Sequence, residues 1–547
     1  MKFSSSQTPQ NLSSIPAWKN LKKHAKNFSR PDKHLKYLIK EYSRLEKFSL
    51  KCNGLFYDFS RQRVDEKAMS LLFELAEARK LKEHFISMMT GEKINVSENR
   101  SALHTASRNF SGNSVVIDKK DVMPEIIKTR ENIRKFASKV HNGKIAGSTG
   151  KPFKHIVVIG IGGSYLGTEF VSRALEAFAD KDIEIHFLSN VDIHNFGNIV
   201  SRVEPESTLW IVVSKSYTTA ETIANANLAI SFMKEKGLDP SMHLATVTSK
   251  GSRGDNPANP VLASFHMFDF IGGRYSVSSA VGGVPLSLYL GYDKFEQFLK
   301  GAEEMDIHAK NSPCEKNIPL VAALISIWNN NFLGYETQAI IPYASPLQKL
   351  SPHIQQLNME SNGKSVTQEG HLIDELAGTI IFGEPGTNAQ HSFFQLAHQG
   401  RPFPIEFIGV IKPQYNHQYD FKSKRVTNHQ ELWANLISQP AALALGKKDK
   451  NNAKYFQGNR PSSTMLLNDL SPESVGRLLS FYEAKTVFEA FIWGTNPFDQ
   501  FGVELGKKLA SNIRNEIALK NEQKDHSFEH MDKITKFYLD TMFSGKL

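Results

Sequence analysis

A glutamate, a histidine, an arginine and two small-residue loops are the parts of this chain whose types and spacing could do chemistry. Glu360 lies in SPHIQQLNMESNGKS, where Ser351 and Pro352 mark a helix start and Gly363 a stop. Gln356 stands four residues earlier and shares its face. In the last turn a carboxylate meets the negative helix end, which disfavours its charge, as a general base working near neutrality requires. A surface glutamate on an amphipathic helix is the plain alternative. In GTNAQHSFFQLAHQG, Thr387 and Gln390 have capping-box spacing, which puts His391 in the first turn. There the positive helix end favours a neutral imidazole, ready to give or take a proton. A partly buried histidine bonded to a carbonyl would read the same way, and nothing marks His398. Arg274 in FIGGRYSVSSA is placed to stabilise an enediolate, although most arginines are surface residues. Glu504 with Lys507 or Lys508 in NPFDQFGVELGKKLASNI has helical ion-pair spacing.

Two strand-to-loop passages would hold a substrate for these groups. In HIVVIGIGGSYLGTEF the apolar run Ile156 to Ile159 leads into Gly160, Gly162, Gly163 and Ser164. In LWIVVSKSYTTAETIANANLAI, Leu209 to Val213 lead into Ser214, Lys215, Ser216, Thr218 and Thr219. Each then takes up helical pattern, so backbone N–H groups and a positive dipole end face the loop, which suits a phosphate. The hydroxyls and lysine of the second loop suit a phosphomonoester better than a buried diphosphate. Neither loop fits a nucleotide motif. Tyr165 stands where a dinucleotide fingerprint needs its third glycine, and no Gly-Lys-Ser/Thr follows.

The elements around these motifs form two βα runs. Strands are expected at 155–160, 183–189 and 209–213, with helices at 165–178 and 220–235. A second alternation begins near Ala339: strand AIIPYA, helix LQKLSPHIQQLNME, strand TIIF, helix NAQHSFFQLAHQ and strand PIEFIGVI. Helices dominate from Asn428 onward. The pattern implies an α/β protein with two doubly wound, three-layer domains and mostly parallel sheets, plus helical N-terminal and C-terminal extensions. The expected boundaries are 1–150, 151–307, 318–520 and 521–547, with HAKNSPCEKN as the linker and GKKDKNNAK as an excursion in the second domain.

Composition limits the partners. A hydrophobic share of 40% can build a sizeable core, whereas the run Ile318 to Trp328 is too short for a bilayer. The start, MKFSSSQTPQNLSSIP, lacks the apolar region of a secretory signal. Two cysteines, Cys52 and Cys314, make no disulfide framework, so a reducing cytoplasm is expected. A net charge of +10, with lysines from Lys19 to Lys40, reads as a solvated helix face; no nucleic-acid motif accompanies it. No nucleic acid or membrane partner is expected, and no metal-ligand spacing is visible along the chain.

Together these segments resemble the glucose-6-phosphate isomerase (phosphoglucose isomerase) family from about Tyr57 to Ala510. GEKINVSENRSALH, IGIGGSYLG, SKSYTTAET, GGRYSVSSAVGGVPL, MESNGK, GTNAQH, GNRPSS and FDQFGVELGKKLA follow one another in the family's order. The resemblance implies sugar-isomerase (SIS-type) domains and reversible conversion of glucose 6-phosphate to fructose 6-phosphate, in glycolysis and gluconeogenesis. By it Glu360 is the base, Arg274 stabilises the cis-enediolate, and His391 and Lys507 assist ring opening and closing. It assigns the phosphate to Ser214, Lys215, Ser216 and Thr219, with Gly163 and Ser164 nearby, and sugar or phosphate contacts to Gln356 and Gln500. It further implies no metal or organic cofactor, and a homodimer in which the partner subunit supplies the counterpart of His391. Phe268-Asp269-Phe270-Ile271 stands where tryptophans are usual, Ser216 for threonine and Ala389 for glycine, and Ile193 breaks the usual turn; the reacting groups are all in place. An isomerase of another phosphosugar, such as mannose 6-phosphate, and a non-catalytic sugar-phosphate-binding module are the competing readings.

Overall fold

Asparagine followed by glycine at 53–54 opens the architecture with a turn that the helical reading of the N-terminal segment passed over. Both residues have positive φ, 45° and 78°, as a tight two-residue hairpin turn needs. They join β1 (Ser49–Cys52) to β2 (Leu55–Asp58). The computed structural model describes residues 11–415 and 425–547; the first ten residues of the start inspected for a signal lie outside that range.

The first sheet holds β3 (His155–Ile159), β4 (Glu184–Leu188), β5 (Thr208–Val213), β6 (Leu244–Ser249) and β7 (Ala263–Met267). Its order is β4-β3-β5-β6-β7, and every pairing is parallel. Central strands covered on both faces need apolar side chains at every position. Ile156, Val158, Leu209 and Ile211 accordingly enter one core, while Val157, Ile159, Trp210 and Val212 enter another with Phe196 and Ile199. The expected helix at 165–178 is Leu166–Ala174 followed by a 3-10 turn, and the next is Ala220–Glu235.

The second sheet contains β8 (Thr337–Tyr343), β9 (Ile380–Phe382), β10 (Ile405–Val410) and β11 (Ser462–Leu467), ordered β1-β2-β11-β10-β8-β9. β8 to β11 are parallel, and β2 pairs antiparallel with β11. The N-terminal hairpin therefore completes this sheet. β11 lies in the region expected to be helical: its sequence, SSTMLL, carries apolar side chains only in its second half, which hides the strand.

Helix Pro472–Trp493 is buried along its length except at Glu473 and Arg477. Its burial brings charge into the core, and each charge has a partner. Fully buried Arg108 donates to Asp306 at 2.6 and 2.9 Å and to Glu483 at 2.5 Å. Glu489 accepts from Lys485 at 2.7 Å and from Asn358 and Asn362 at 2.5 and 2.9 Å. The chain divides into two compact units, Met1–Phe498 and Asp499–Leu547. Within the second, helix Lys533–Ser544 is capped by Asp532. Among the described residues no helix is long and apolar enough to cross a membrane.

Breaking a buried ion pair from one side costs ~3–5 kcal/mol, whereas replacing both partners with apolar groups is often near neutral. Glu489→Leu should therefore lower the unfolding free energy by about 3 kcal/mol, and adding Lys485→Met should restore part of it. Urea unfolding followed by tryptophan fluorescence measures both; a loss below ~1 kcal/mol in the single variant would refute the assigned role of this pair.

Candidate active site

β3 and β5 are adjacent and parallel, with Ile159 opposite Val212, so their loops leave the same sheet edge side by side. Gly163 allows the first loop to lie against the turn that carries Arg274. A Cβ there would come within 2.3 Å of the Gly273 carbonyl carbon, which is backbone and cannot swing away. Ser276 Oγ adds a 3.3 Å bond to the Gly163 carbonyl. In the second loop, Ser214 is buried and its Oγ has no hydrogen-bond partner among the described residues. Thr219 occupies the cap position of helix Ala220–Glu235 without a side-chain capping bond. Both hydroxyls and the first-turn N–H groups are thus of the kind an anion would engage. Lys215 donates to the Asp269 carbonyl at 3.1 Å; burial lowers its pKa from the ordinary lysine value, and the nearby Asp269 carboxylate opposes that shift.

Helix Leu350–Asn362 carries the carboxylate. Ser351 does not cap it, since its hydroxyl donates to the Ile340 carbonyl at 3.0 Å, but the helix does end at Gly363. Gln356 and Glu360 share a face as their spacing requires, and Gln356 Nε2 donates to Glu360 Oε2 at 2.9 Å. The same amide lies 3.1 Å from where a Cβ on Gly162 would stand. Arg274 Nη1 lies 3.2 Å from Glu360 Oε1. The arginine is itself fixed by Ser361 Oγ at 2.7 Å and the Pro497 carbonyl at 2.5 Å. Arg274 is 1% exposed and Glu360 22%, so the carboxylate is the more accessible group. The arrangement is an oriented proton acceptor beside a fixed cation and a glycine loop.

Other expected groups stand differently. The capping box at Thr387 and Gln390 does not form: Thr387 makes no side-chain cap bond, and Gln390 donates instead to Tyr343 Oη at 2.7 Å. His391 therefore ends a 3-10 turn, Asn388–His391, and the α-helix begins only at Phe394. His391 is exposed. Gln500 and Lys507 belong to the second compact unit, Lys507 on the exposed helix Glu504–Glu522. Ser216 is exposed beside Thr218, and their hydroxyls lie 2.5 Å apart. Sequence reasoning missed Ser361 and Tyr275, whose hydroxyls meet at 2.9 Å. Burial pushes the Tyr275 phenol up to about 12, so it stays neutral. Adjacency to Glu360 and Arg274 was the only signal either residue gave. Phe268 and Phe270, in the segment that departs from the family's tryptophans, stack with ring centroids 5.0 Å apart, and Asp269 between them in sequence accepts from Lys215.

These features define a doubly wound α/β protein with its candidate site at the carboxyl edge of a parallel sheet. The chain belongs to the phosphoglucose isomerase family, whose sequence profile matches residues 58–533. It is 63% identical over 535 residues to a glucose-6-phosphate isomerase of Desulfosudis oleivorans, covering 97% of this chain and 98% of that one. It is 42% identical to a cytosolic glucose-6-phosphate isomerase of Arabidopsis thaliana, with 92% of each covered. The crystal structure of a glucose-6-phosphate isomerase from Chlamydia trachomatis superposes with a TM-score of 0.88 at 35% identity, covering 98% of this chain and 100% of that one.

Gly163→Ala should disrupt the packing of the first loop on the Arg274 turn. Calorimetric titration with a phosphorylated sugar acid should show at least about tenfold weaker binding, the size of one lost charge-assisted contact. Affinity unchanged in the folded variant would detach this loop from the binding site.

Proposed function

We propose that this chain interconverts glucose 6-phosphate and fructose 6-phosphate. The observation that carries the reading is the carboxylate of Glu360, oriented by Gln356 and Arg274 beside the first loop of a family member's parallel sheet. Ser214, Lys215, Ser216 and Thr219 hold the phosphate, with Gly163 and Ser164 alongside, and Gln356 and Gln500 contact the sugar or its phosphate. His391 and Lys507 move the protons that open and close the ring. In the open aldose, Glu360 removes the C2 proton and the electron pair forms the C1–C2 double bond of a cis-enediol(ate). Arg274 stabilises the negative oxygen on C1; that oxygen takes up the C2 hydroxyl proton, and Glu360 returns its own proton to C1 as the C2 carbonyl forms. No oxidant or cofactor enters this balance.

Glutamine keeps the shape of Glu360 but cannot accept the proton. Loss of a general base costs on the order of 10²–10⁴ in rate, so Glu360→Gln should lose that much turnover with inhibitor binding nearly intact. In deuterated water the wild type should label the transferred position, incompletely per turnover. Turnover near wild type in the variant, or no label after long incubation, would remove Glu360 from the role.

The working form is a cytoplasmic homodimer with shared sites, a reading supported by the family likeness and the exposure of His391. Mixing inactive His391→Ala and Glu360→Gln chains under subunit exchange should then restore activity, because a mixed dimer holds one intact site. Verified mixed dimers without activity would refute sharing.

A further inference from the structure

The opposite edge of the first sheet brings together three side chains that lie far apart or unremarked in the sequence. His155 begins β3 and Glu184 begins β4, and the two residues are register partners. Adjacent strands lie ~4.8 Å apart and alternate residues share a face, so His186 joins Glu184 on the face that His155 presents. His155 Nδ1 lies 3.5 Å and His186 Nε2 3.4 Å from the same oxygen, Oε2 of Glu184. The three donor atoms all fall within 4.8 Å of one another. Both ring nitrogens are buried and have no hydrogen-bond partner among the described residues. A buried polar atom left unpaired is costly, so two converging on one carboxylate oxygen call for an explanation.

We propose that His155, Glu184 and His186 form a binding site for a divalent transition metal ion of the zinc class. Ligand atoms ~2.0–2.1 Å from a tetrahedral zinc ion are about 3.3 Å from one another, close to the two histidine–carboxylate separations found here. Two imidazoles and a carboxylate suit zinc, nickel or copper, whereas calcium and magnesium prefer all-oxygen sets. Glu184 is 64% exposed, so solvent can supply the fourth ligand. Arg173 and Arg202 lie close enough to act on His186 electrostatically and oppose a cation, an effect the glutamate offsets. The site lies at the amino ends of β3 and β4, and the first substrate loop leaves the carboxyl end of β3, roughly 13 Å away at 3.3 Å per residue. The ion would thus pin the edge strand β4 to β3 and take no part in proton transfer.

The full chain, stripped with a chelator, can be titrated calorimetrically with Zn²⁺ alone. Wild type should take up a saturable equivalent that Glu184→Gln and His186→Gln each weaken by at least about tenfold, as loss of a ligand exceeds the effect of losing its supporting shell. Zn²⁺ should raise the melting temperature of wild type but not of Glu184→Gln, and Co²⁺ should give the visible absorption of a tetrahedral site. His530→Ala, which alters a separate histidine pair beside Glu516, should leave this equivalent in place. Glu184 is exposed, so its variant decides the matter if the histidine variant fails to fold. No saturable equivalent in wild type, or one that survives both Glu184→Gln and His186→Gln, would overturn the site, as would loss of the equivalent in His530→Ala.

Discussion

The carboxylate of Glu489 is fully buried, and the candidate site rests on how it is satisfied. A buried charge is tolerated only with close partners. Lys485, one turn earlier on the same helix, supplies the countercharge, and Asn358 and Asn362 supply amide donors from the helix beside it. The two asparagines are themselves four residues apart, so together they clamp one face of helix Leu350–Asn362. Glu360 lies two residues from each, about 200° around the helix at 3.6 residues per turn. Holding the asparagines inward therefore turns Glu360 away from the central helix, toward Arg274. One buried interaction sets the rotation of the element that carries the proposed base.

The rest of the site depends on backbone being allowed to approach backbone. The glycine loop after β3 and the turn at Gly273-Arg274 touch where Gly163 has no room for a side chain. That contact brings Arg274 beside the loop, and Ser361 and the Pro497 carbonyl then fix the guanidinium. Parallel register between β3 and β5 places the hydroxyl loop next to it, and Asp269 holds the loop's lysine. Glu360, Arg274 and Lys215 are each held by a neighbouring group, which favours a site organised before substrate arrives.

Local signals were legible where physics is local. The strands at 155–159 and 208–213 contain unbroken apolar runs, Ile156 to Ile159 and Leu209 to Val213, because they are buried on both faces, and the loops after them announce themselves by glycine and hydroxyl content. The Gln356–Glu360 contact follows from helical spacing alone. By contrast, the Thr387–Gln390 pattern matched a capping box, and Tyr343 captured the glutamine instead. Asn53-Gly54 is a hairpin signal that surrounding helical pattern obscured. β11 was hidden because its stability comes from β10 on one side and β2, some 400 residues away in sequence, on the other.

By itself, then, the sequence determined the fold class, the positions of the glycine and hydroxyl loops and the family likeness, and it singled out Glu360 as the candidate base, since apolar period, turn chemistry and motif order are properties of neighbouring residues. Only the tertiary structure decided that Arg274 meets Glu360, that Ser361 and Tyr275 support that pair, and that His155 and His186 converge on Glu184. Those meetings depend on strand register, helix rotation and close backbone packing, which arise between segments distant along the chain and leave no periodic trace within either one.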